Sequence, residues 1–396
     1  MWKISLLICS VLFFFTTTQL GQIQRDAWEF LKGNTNTPTR RDFRETYLSK
    51  LKMPEGFRAE VYTKGLKGPR MIVQSKTGVV YITSPKAGSV FALYDTKKKG
   101  IADKVTTVIK GIKNVHGIAI NENRLYLCSP EKLLVCDIMQ DGSLSKPKTL
   151  IDNLPEGGRH ENRTIGFGPD GLLYISVGSS CNACAEKNKE HATILRTAID
   201  GSRRTVYASG LRNTIGFGWH PKTKQMWGMD QGSDWRGSDT PPEELNRLEE
   251  GRDYGWPYCY SKALPDKEMD QPENTTKDDF CKKTTPSVLD YQAHSSPIAM
   301  VFYDADMFPK EYKGDAFIAF HGSWNRTVPV GYKIVRVRFD KNGSAEKFED
   351  FITGFLIENG KAQFARPAGL CVLNDGSLLI SDDSNGTVYR IVYGKK

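Results

Sequence analysis

The sequence of 396 residues lacks the short motifs that mark several common chemistries. It has no glycine-rich phosphate loop, no Gly-X-Ser-X-Gly elbow, no Cys/His set with zinc spacing, and no dinucleotide-binding fingerprint at a strand-to-helix junction. The formal net charge is +9, but no basic stripe is interleaved with aromatic residues, so nucleic acid is not an expected partner. These absences argue against nucleotide-dependent, serine-hydrolase and zinc chemistry.

Long apolar runs are confined to the N-terminus. Lys3 precedes an apolar run at residues 4–15, and polar residues follow it, which is typical of a secretory signal peptide spanning residues 1–22. The run is short for a membrane span, although an N-terminal anchor is the alternative. We therefore expect a secreted, extracellular protein without stable membrane insertion.

Seven cysteines follow the predicted signal peptide, and in an oxidising compartment most of them are expected to pair. The preferred disulfides are Cys181–Cys184 and Cys259–Cys281, because each closes a short loop. Cys128 and Cys136 flank a predicted hairpin and could pair across it. Cys371 is then left over, and we expect it to be buried within an apolar strand.

Five Asn-X-Ser/Thr sequons indicate a glycoprotein that passes through the eukaryotic secretory pathway. They begin at Asn162, Asn274, Asn325, Asn342 and Asn385.

A strand pattern repeats six times along the chain. Each unit has a small apolar strand with Gly or Ala, a tight turn, a second apolar strand, a loop and a third strand, as in Val115-His-Gly-Ile-Ala-Ile followed by Arg124-Leu-Tyr-Leu-Cys. Six such units at a period of roughly 40–50 residues predict an all-β, six-bladed β-propeller over residues 55–396, with residues 57–62 closing the ring. Residues 23–54 are predicted to form a short helical or irregular extension, helical near 27–31 and 41–50. A β-sandwich is the alternative fold.

Polar residues recur before the innermost strands and after the second strands, two positions that share one face of a propeller. They are Arg70, His116, His160, Arg163, Arg212, Asn213, His294 and Arg366 before the innermost strands, and residues 179–180, 230–239 and 321–326 after the second strands. Converging Arg and His side chains predict a pocket for a multiply anionic ligand, because guanidinium binds carboxylates bidentately. His191 and His220 are predicted to lie elsewhere. The glycine-rich acidic loop 230–239 indicates a hard cation such as Ca²⁺.

Several longer motifs resemble one known family. They are Gly210-Leu-Arg-Asn, Asp230-Gln-Gly-Ser, Pro242-Glu-Glu-Leu-Asn, Tyr254-Gly-Trp-Pro-Tyr-Cys, His321-Gly-Ser-Trp-Asn-Arg and Gly331-Tyr-Lys. Together they are similar to the soluble pyrroloquinoline quinone (PQQ)-dependent sugar dehydrogenases, and most similar to the sorbosone/pyranose dehydrogenase-like branch, over roughly residues 55–393. The resemblance implies a six-bladed propeller that binds PQQ and Ca²⁺ on one face, oxidises a sugar substrate, and passes electrons to an external acceptor such as a cytochrome or a quinone.

The resemblance also implies roles for individual residues. His160 matches the general base that takes the proton of the sugar hydroxyl, and Arg212 matches the arginine beside the quinone carbonyl, with Asn213 following it. The backbone carbonyls of Gly232 and Ser233 match the Ca²⁺ ligands. The remaining implied cofactor contacts are Arg70 and Arg366 at the carboxylates, His116, His294 and His321 around the ring, and Trp256 at its border.

Two features depart from the family pattern, and they keep two other functions open. Glu161 and Arg163 crowd His160 with charge, and the sequons at Asn162 and Asn325 lie beside the predicted pocket. One alternative is a non-catalytic secreted propeller that binds glycans or proteins. Another is a Ca²⁺-dependent lactonase or esterase, which would need carboxylates on the channel axis.

Overall fold

The computed structural model describes residues 35–394. The predicted signal peptide and the helical prediction near residues 27–31 lie outside this range. The described chain begins with β1 (Thr39–Arg40), a 3-10 helix at Glu45–Lys50, and β2 (Phe57–Thr63). The helix predicted over residues 41–50 is therefore present only in its second half. Within residues 35–394, no helix is both long enough and apolar enough to cross a membrane.

Six four-stranded antiparallel sheets follow, and they form the six blades that the repeat predicted. The first three blades, each from its innermost strand outwards, are β3 (Ile72–Gln74), β4 (Val80–Ser84), β5 (Ser89–Tyr94) and β6 (Lys104–Lys110); β7 (Gly117–Asn121), β8 (Arg124–Cys128), β9 (Leu133–Asp137) and β10 (Lys148–Ile151); and β11 (Ile165–Phe167), β12 (Leu173–Val177), β13 (Thr193–Thr197) and β14 (Thr205–Ser209).

Blade 4 carries the longest insertion, between its third and fourth strands. In chain order this region contains β15 (Gly216–Trp219), β16 (Met226–Asp230), β17 (Glu243–Leu248), the inserted β18 (Cys259–Tyr260), β19 (Leu264–Pro265) and α1 (Lys277–Cys281), and then β20 (Leu289–Tyr291). The hydroxyl of Thr276 caps α1 by accepting a bond from the Asp279 amide at 3.1 Å.

The last two blades complete the ring, with β2 as the outer strand of blade 6. Their strands, together with two short strands of the N-terminal sheet, are β21 (Pro297–Phe302), β22 (Ala316–Phe320), β23 (Lys333–Phe339), β24 (Ala345–Ile352), β25 (Leu356–Ile357), β26 (Ala362–Gln363), β27 (Pro367–Val372), β28 (Leu378–Asp382) and β29 (Thr387–Tyr393). The pairing of β2 with β29 joins the two ends of the propeller, as predicted for residues 57–62. β1 pairs with β26, which ties the N-terminal extension to blade 6. Further 3-10 turns lie at Pro85–Ala87, Lys310–Tyr312 and Glu358–Gly360.

The blades pack through apolar second strands and small innermost strands. The second strands β4, β12, β16, β22 and β28 are buried throughout. On the innermost strands, the backbones of neighbouring blades approach closely: a Cβ at Gly216 would lie 2.7 Å from the backbone carbon of Ala299. Glycine at this position therefore permits the contact between blades 4 and 5.

The disulfides Cys181–Cys184 and Cys259–Cys281 are present as predicted. The pairing of Cys128 with Cys136 is wrong, because both are buried free thiols. The hairpin of β8 and β9 does form, but its register places Cys128 opposite Leu133 and Cys136 opposite Leu125, so the two thiols lie at different ends of it. Cys371 is free and lies in β27, where it is half-buried.

Candidate active site

Hydrogen bonds link the predicted site residues of neighbouring blades around one end of the ring. The Arg70 amide donates to Thr83 O at 2.7 Å, and the Thr83 hydroxyl donates to His116 O at 2.8 Å. Further on, the Ser179 amide donates to Arg212 O at 2.8 Å. The segments before the innermost strands and the loops after the second strands thus meet on one face, as the sequence predicted.

His160 is held in one tautomer by Ser179. Its Nδ1 lies 3.1 Å from the carbonyl oxygen and 2.8 Å from the hydroxyl of Ser179, while that hydroxyl donates to Cys181 O at 2.8 Å. A carbonyl oxygen only accepts, so Nδ1 carries the hydrogen and Nε2 has the lone pair. Burial, with Arg212 adding to it, holds the pKa of His160 well below its usual value. The imidazole is therefore neutral, with Nε2 able to accept a proton.

Arg163 positions the segment that carries His160 through hydrogen bonds to backbone carbonyls. Its guanidinium donates to the carbonyl oxygens of His160 at 2.7 Å, Pro130 at 3.1 Å and Pro155 at 3.0 Å. Glu161 accepts a 2.8 Å bond from the Asn114 amide. Glu161 thus pairs with Asn114, whereas Arg163 stays next to His160: it fixes the loop between β10 and β11, and its charge helps to lower the pKa of His160.

Arg212 is buried and enclosed by two residues that the sequence did not single out. Its guanidinium donates to the backbone oxygen of Asn182 at 2.8 Å, to Asn182 Oδ1 at 2.8 Å and to Asp234 Oδ2 at 2.9 Å. Asn182 also binds both the amide and the carbonyl of Asp234, at 2.8 and 3.1 Å. The loop closed by the Cys181–Cys184 disulfide therefore fixes the orientation of Arg212.

Asp230 fixes the backbone at the start of the blade 4 inner pair. Its carboxylate accepts from the amides of Arg212 at 2.9 Å and Asn213 at 2.8 Å, and from the Thr214 hydroxyl at 2.7 Å. Asn213 Nδ2 donates to Gln231 at 3.0 Å. A Cβ on Gly178 would lie 2.5 Å from His160 Cβ and 2.7 Å from Asn213 Oδ1, so His160 and Asn213 adjoin across this glycine.

The loop that contains Gly232 and Ser233 is held by the buried carboxyl group of Glu243. Glu243 accepts from the Gly232 amide at 3.0 Å and from the Ser296 amide at 2.8 Å, and burial raises its pKa to about 8. The indole N–H of Trp256 donates to Ser233 Oγ at 3.2 Å. Trp256 is buried behind the loop, and its contact with a cofactor stays a prediction.

A second cluster of charges joins blades 1, 5 and 6. Asp383 lies 2.7 Å from Arg70 Nε and accepts a 2.9 Å bond from His321 Nε2. Burial opposes ionisation of Asp383, but Arg70, His321 and Arg366 together outweigh it and lower its pKa. Burial lowers the pKa of His321 to about 4, so the imidazole is neutral. Arg366 donates to the carbonyl oxygens of His321 and Gly322 at 3.2 and 3.1 Å.

Two further histidines, His294 and His116, differ in how many of their ring nitrogens are hydrogen-bonded within the described chain. His294 donates from Nε2 to Gly237 O at 2.7 Å and accepts at Nδ1 from Asn325 at 3.2 Å, so both ring nitrogens are used internally. His116 donates from Nδ1 to Arg163 O at 3.1 Å, and its buried Nε2 has no hydrogen-bond partner among residues 35–394. A buried acceptor without a partner is costly, so this atom suits a ligand that brings an N–H or O–H donor. The pyrrole N–H of PQQ is such a donor, and Arg70, Arg212 and Arg366 on the same face suit its carboxylates, so these residues fit PQQ.

Sequence comparison gives the family directly. A family model described as TrAA12-like matches residues 51–394. The chain belongs to the TrAA12-like family. The resemblance found in the motifs is thereby confirmed at the family level. An uncharacterised protein of Borreliella burgdorferi is 33% identical over 368 residues, which cover 89% of this chain and 93% of that protein.

Two named relatives match most of this TrAA12-like chain. A pyrroloquinoline quinone-dependent sugar dehydrogenase of Hypocrea jecorina is 24% identical over 395 residues, covering 85% of this chain and 87% of that protein. The calcium structure of the Trichoderma reesei family AA12 carbohydrate-active enzyme superposes with a TM-score of 0.77 at 24% identity, covering 90% of this chain and all of that one. At this identity the structural likeness confirms the fold.

The residues that the sequence missed are mostly partners of those it found. They are Asn182 and Asp234 at Arg212, Glu243 at Gly232, and Asp383 at Arg70 and His321, whereas Ser179, the partner of His160, was among the residues marked on this face. His191 was predicted to lie away from this face, and that prediction is wrong. Its Nδ1 donates to Gly178 O at 3.2 Å, and Gly178 directly precedes Ser179. His220 does lie in the β15–β16 turn at the other end of blade 4. Asp234 and Ser179 lay inside loops that the sequence had marked, so the chemistry of those loops was the available signal.

Proposed function

We propose that the chain is a secreted PQQ- and Ca²⁺-dependent dehydrogenase that oxidises a pyranose-type sugar and passes the electrons to an external acceptor, such as a cytochrome or a quinone. The observation that carries this proposal is the state of His160: a neutral imidazole with Nε2 unprotonated, beside Asn213 and on the same face as Arg212. The name of the Hypocrea jecorina relative supports both the quinone and the sugar.

The residues of the face have separate tasks in this proposal. PQQ would be held by Arg212, Asn213, Arg70, Arg366 and His116. His321 would line the cofactor, as would His294, whose ring nitrogens are both bonded within the protein, and Trp256 would lie at its border. When bound, PQQ supplies a two-electron acceptor for hydride from the sugar C1. His160 accepts the proton of the C1 hydroxyl at Nε2, and Ser179 keeps the ring oriented for this transfer. The sugar thus loses a hydride and a proton and leaves as a lactone.

Ca²⁺ would be held by the backbone carbonyls of Gly232 and Ser233. Carbonyl oxygens are ligands that Ca²⁺ prefers, and the calcium structure of the Trichoderma reesei enzyme supports this ion. Glu243 anchors the loop through the Gly232 amide and ties it to Ser296. Glu243 would thus position the loop that binds Ca²⁺.

Reconstitution of the purified protein tests the proposal. The protein is loaded with PQQ and CaCl₂ and assayed with a dye acceptor against a panel of aldoses. We expect turnover that His160→Ala lowers by at least about 10²-fold, the lower range for general-base catalysis. His220→Asn, at the far end of blade 4, serves as the control and should keep full activity. A loaded protein that oxidises no sugar, or a His160→Ala variant as active as the wild type, would contradict it.

A further inference from the structure

Two tryptophans form an aromatic pair on the face that carries the site. The rings of Trp235 and Trp324 lie 5.1 Å apart at an interplanar angle of 85°, an edge-to-face contact. Trp324 remains 36% exposed. Large exposed apolar side chains beside buried polar groups are typical of ligand-binding surfaces.

The pair is attached directly to the network around Arg212. Trp235 follows Asp234 in the chain, and Trp324 precedes Asn325. Asn325 Nδ2 donates to Asp234 Oδ1 at 2.7 Å, while the other carboxylate oxygen of Asp234 accepts from Arg212 at 2.9 Å. Each indole is therefore one residue along the chain from a side-chain hydrogen bond that belongs to the site.

The pair is held rigidly. Trp235 has a φ of 67°, a left-handed conformation that is unusual for a bulky side chain and persists only where surrounding contacts enforce it. On the other side, Asn36 binds the loop of Trp324: its amide donates to Trp324 O at 3.0 Å and its side chain to Thr327 O at 2.8 Å. Such preorganisation lowers the entropy lost when a ligand binds.

We propose that Trp324, supported edge-on by Trp235, is the stacking platform for the pyranose ring of the substrate. A pyranose presents an apolar C–H face that complements the electron-rich face of an indole, whereas a linear polyol presents no such face. Its hydroxyls would meet the polar groups beside the pair, such as Arg159, whose Nη2 lies 3.8 Å from Asp234. This inference rests on the proposed function and adds to it a residue that selects the ring form of the sugar.

Kinetics of the PQQ- and Ca²⁺-loaded protein test the platform with D-glucose and D-galactose as substrates. We expect Trp324→Ala to raise the KM of its substrates about tenfold, the effect of losing one aromatic stacking contact, with kcat and PQQ affinity nearly unchanged. Trp324→Phe should recover part of the affinity. Val328→Ala, an exposed apolar residue of the same loop, is the matched control and should leave KM unchanged. An unchanged KM in Trp324→Ala, or an equal rise in Val328→Ala, overturns the platform.

Saturation-transfer NMR separates this inference from the proposed function, because it detects sugar binding without turnover. Ring-proton contacts to the wild type that disappear in Trp324→Ala support the platform even if the loaded protein oxidises nothing. Turnover with unaltered ring contacts in Trp324→Ala overturns the platform and leaves the oxidation standing. D-sorbitol, the linear control, should show no transfer that depends on Trp324.

Discussion

Blades 4 and 6 use the same local structure at the site and then diverge. In each, an aspartate ends the second strand and accepts the backbone N–H of an arginine that precedes the innermost strand. In blade 4 the pair is Asp230 with Arg212 at 2.9 Å, and in blade 6 it is Asp382 with Arg366 at 2.9 Å. The repeat thus fixes the backbone of both arginines in equivalent positions.

The difference lies in the residues that follow each aspartate. In blade 4 the loop returns Asp234 to the guanidinium of Arg212, so the blade supplies its own counter-ion. In blade 6 Asp383 binds Arg70 of blade 1 and His321 of blade 5, while Arg366 is left with backbone carbonyls. The loops after the second strands therefore decide what each arginine can do.

Replacing each of the two arginines by lysine should give the largest difference between the two blades, measured as PQQ affinity. Arg212 bonds Asn182 and Asp234 through Nε and Nη2. Arg212→Lys replaces this planar fork with a single ammonium that cannot reproduce its geometry, and we expect PQQ affinity to fall about 100-fold. Arg366→Lys should cost about tenfold, because carbonyl oxygens accept from either cation. Equilibrium titration of each variant with PQQ measures both, with the exposed Arg124→Lys as control. A larger loss in Arg366→Lys would reverse the assignment of roles.

The two aspartates should differ in their contribution to stability. Asp230 accepts hydrogen bonds from three donors. In Asp230→Asn one carboxylate oxygen becomes an NH₂ group, which faces one of these donors and cannot accept from it. The free energy of unfolding should therefore fall by about 2 kcal/mol. Asp382 has one carboxylate oxygen without a hydrogen-bond partner in the described chain, so Asp382→Asn should cost under about 1 kcal/mol at pH 6. Urea unfolding of both variants tests this, and equal losses would refute the distinction.

Asp382 should also give stability a pH dependence that its variant lacks. Burial, with Asp383 adding to it, raises the pKa of Asp382 to about 7. The unfolded chain releases this proton near pH 4, so between about pH 4 and 7 the folded state binds the extra proton and stability falls as pH rises, by at most about 1.4 kcal/mol per unit. The stability of Asp382→Asn relative to wild type should therefore improve from pH 5 to pH 7. A constant difference across this range would show that Asp382 is ionised throughout.

The smallest effects concern two sequons whose asparagines are engaged at the same face. Asn325 donates to Asp234, and Asn385 donates to Arg41 O and Phe364 O at 2.7 and 2.9 Å. Asn274 and Asn342 are exposed. After eukaryotic secretion, Asn274→Gln and Asn342→Gln should each remove a glycan mass in mass spectrometry without altering activity. A glycopeptide at Asn325 would mean that this amide is accessible before the loop closes.

The propeller fold and the face that carries the site could both be predicted from the sequence, because both follow from the repeat. Gly216 and its equivalents mark innermost strands, and Arg212 and His160 precede such strands at the same phase of the repeat. The hydrogen-bond partners of the site residues, in contrast, do not follow the repeat. Asp234 contacts Arg212 only because its loop folds back onto the loop of Asn182. This contact between two loops cannot be predicted from the spacing of residues along the sequence. The Cys128–Cys136 prediction failed similarly, because hairpin spacing does not give register.

Titration of the purified protein with PQQ, with and without Ca²⁺, tests the central claim most directly. The absorbance of the quinone reports binding without any requirement for a sugar or an electron acceptor. We predict saturation at about one PQQ per chain, with weaker binding after Ca²⁺ is removed by a chelator, because Gly232 and Ser233 then lose the ion that they would hold against the cofactor. Absence of saturable binding in the presence of Ca²⁺ would contradict the assignment of this face to PQQ.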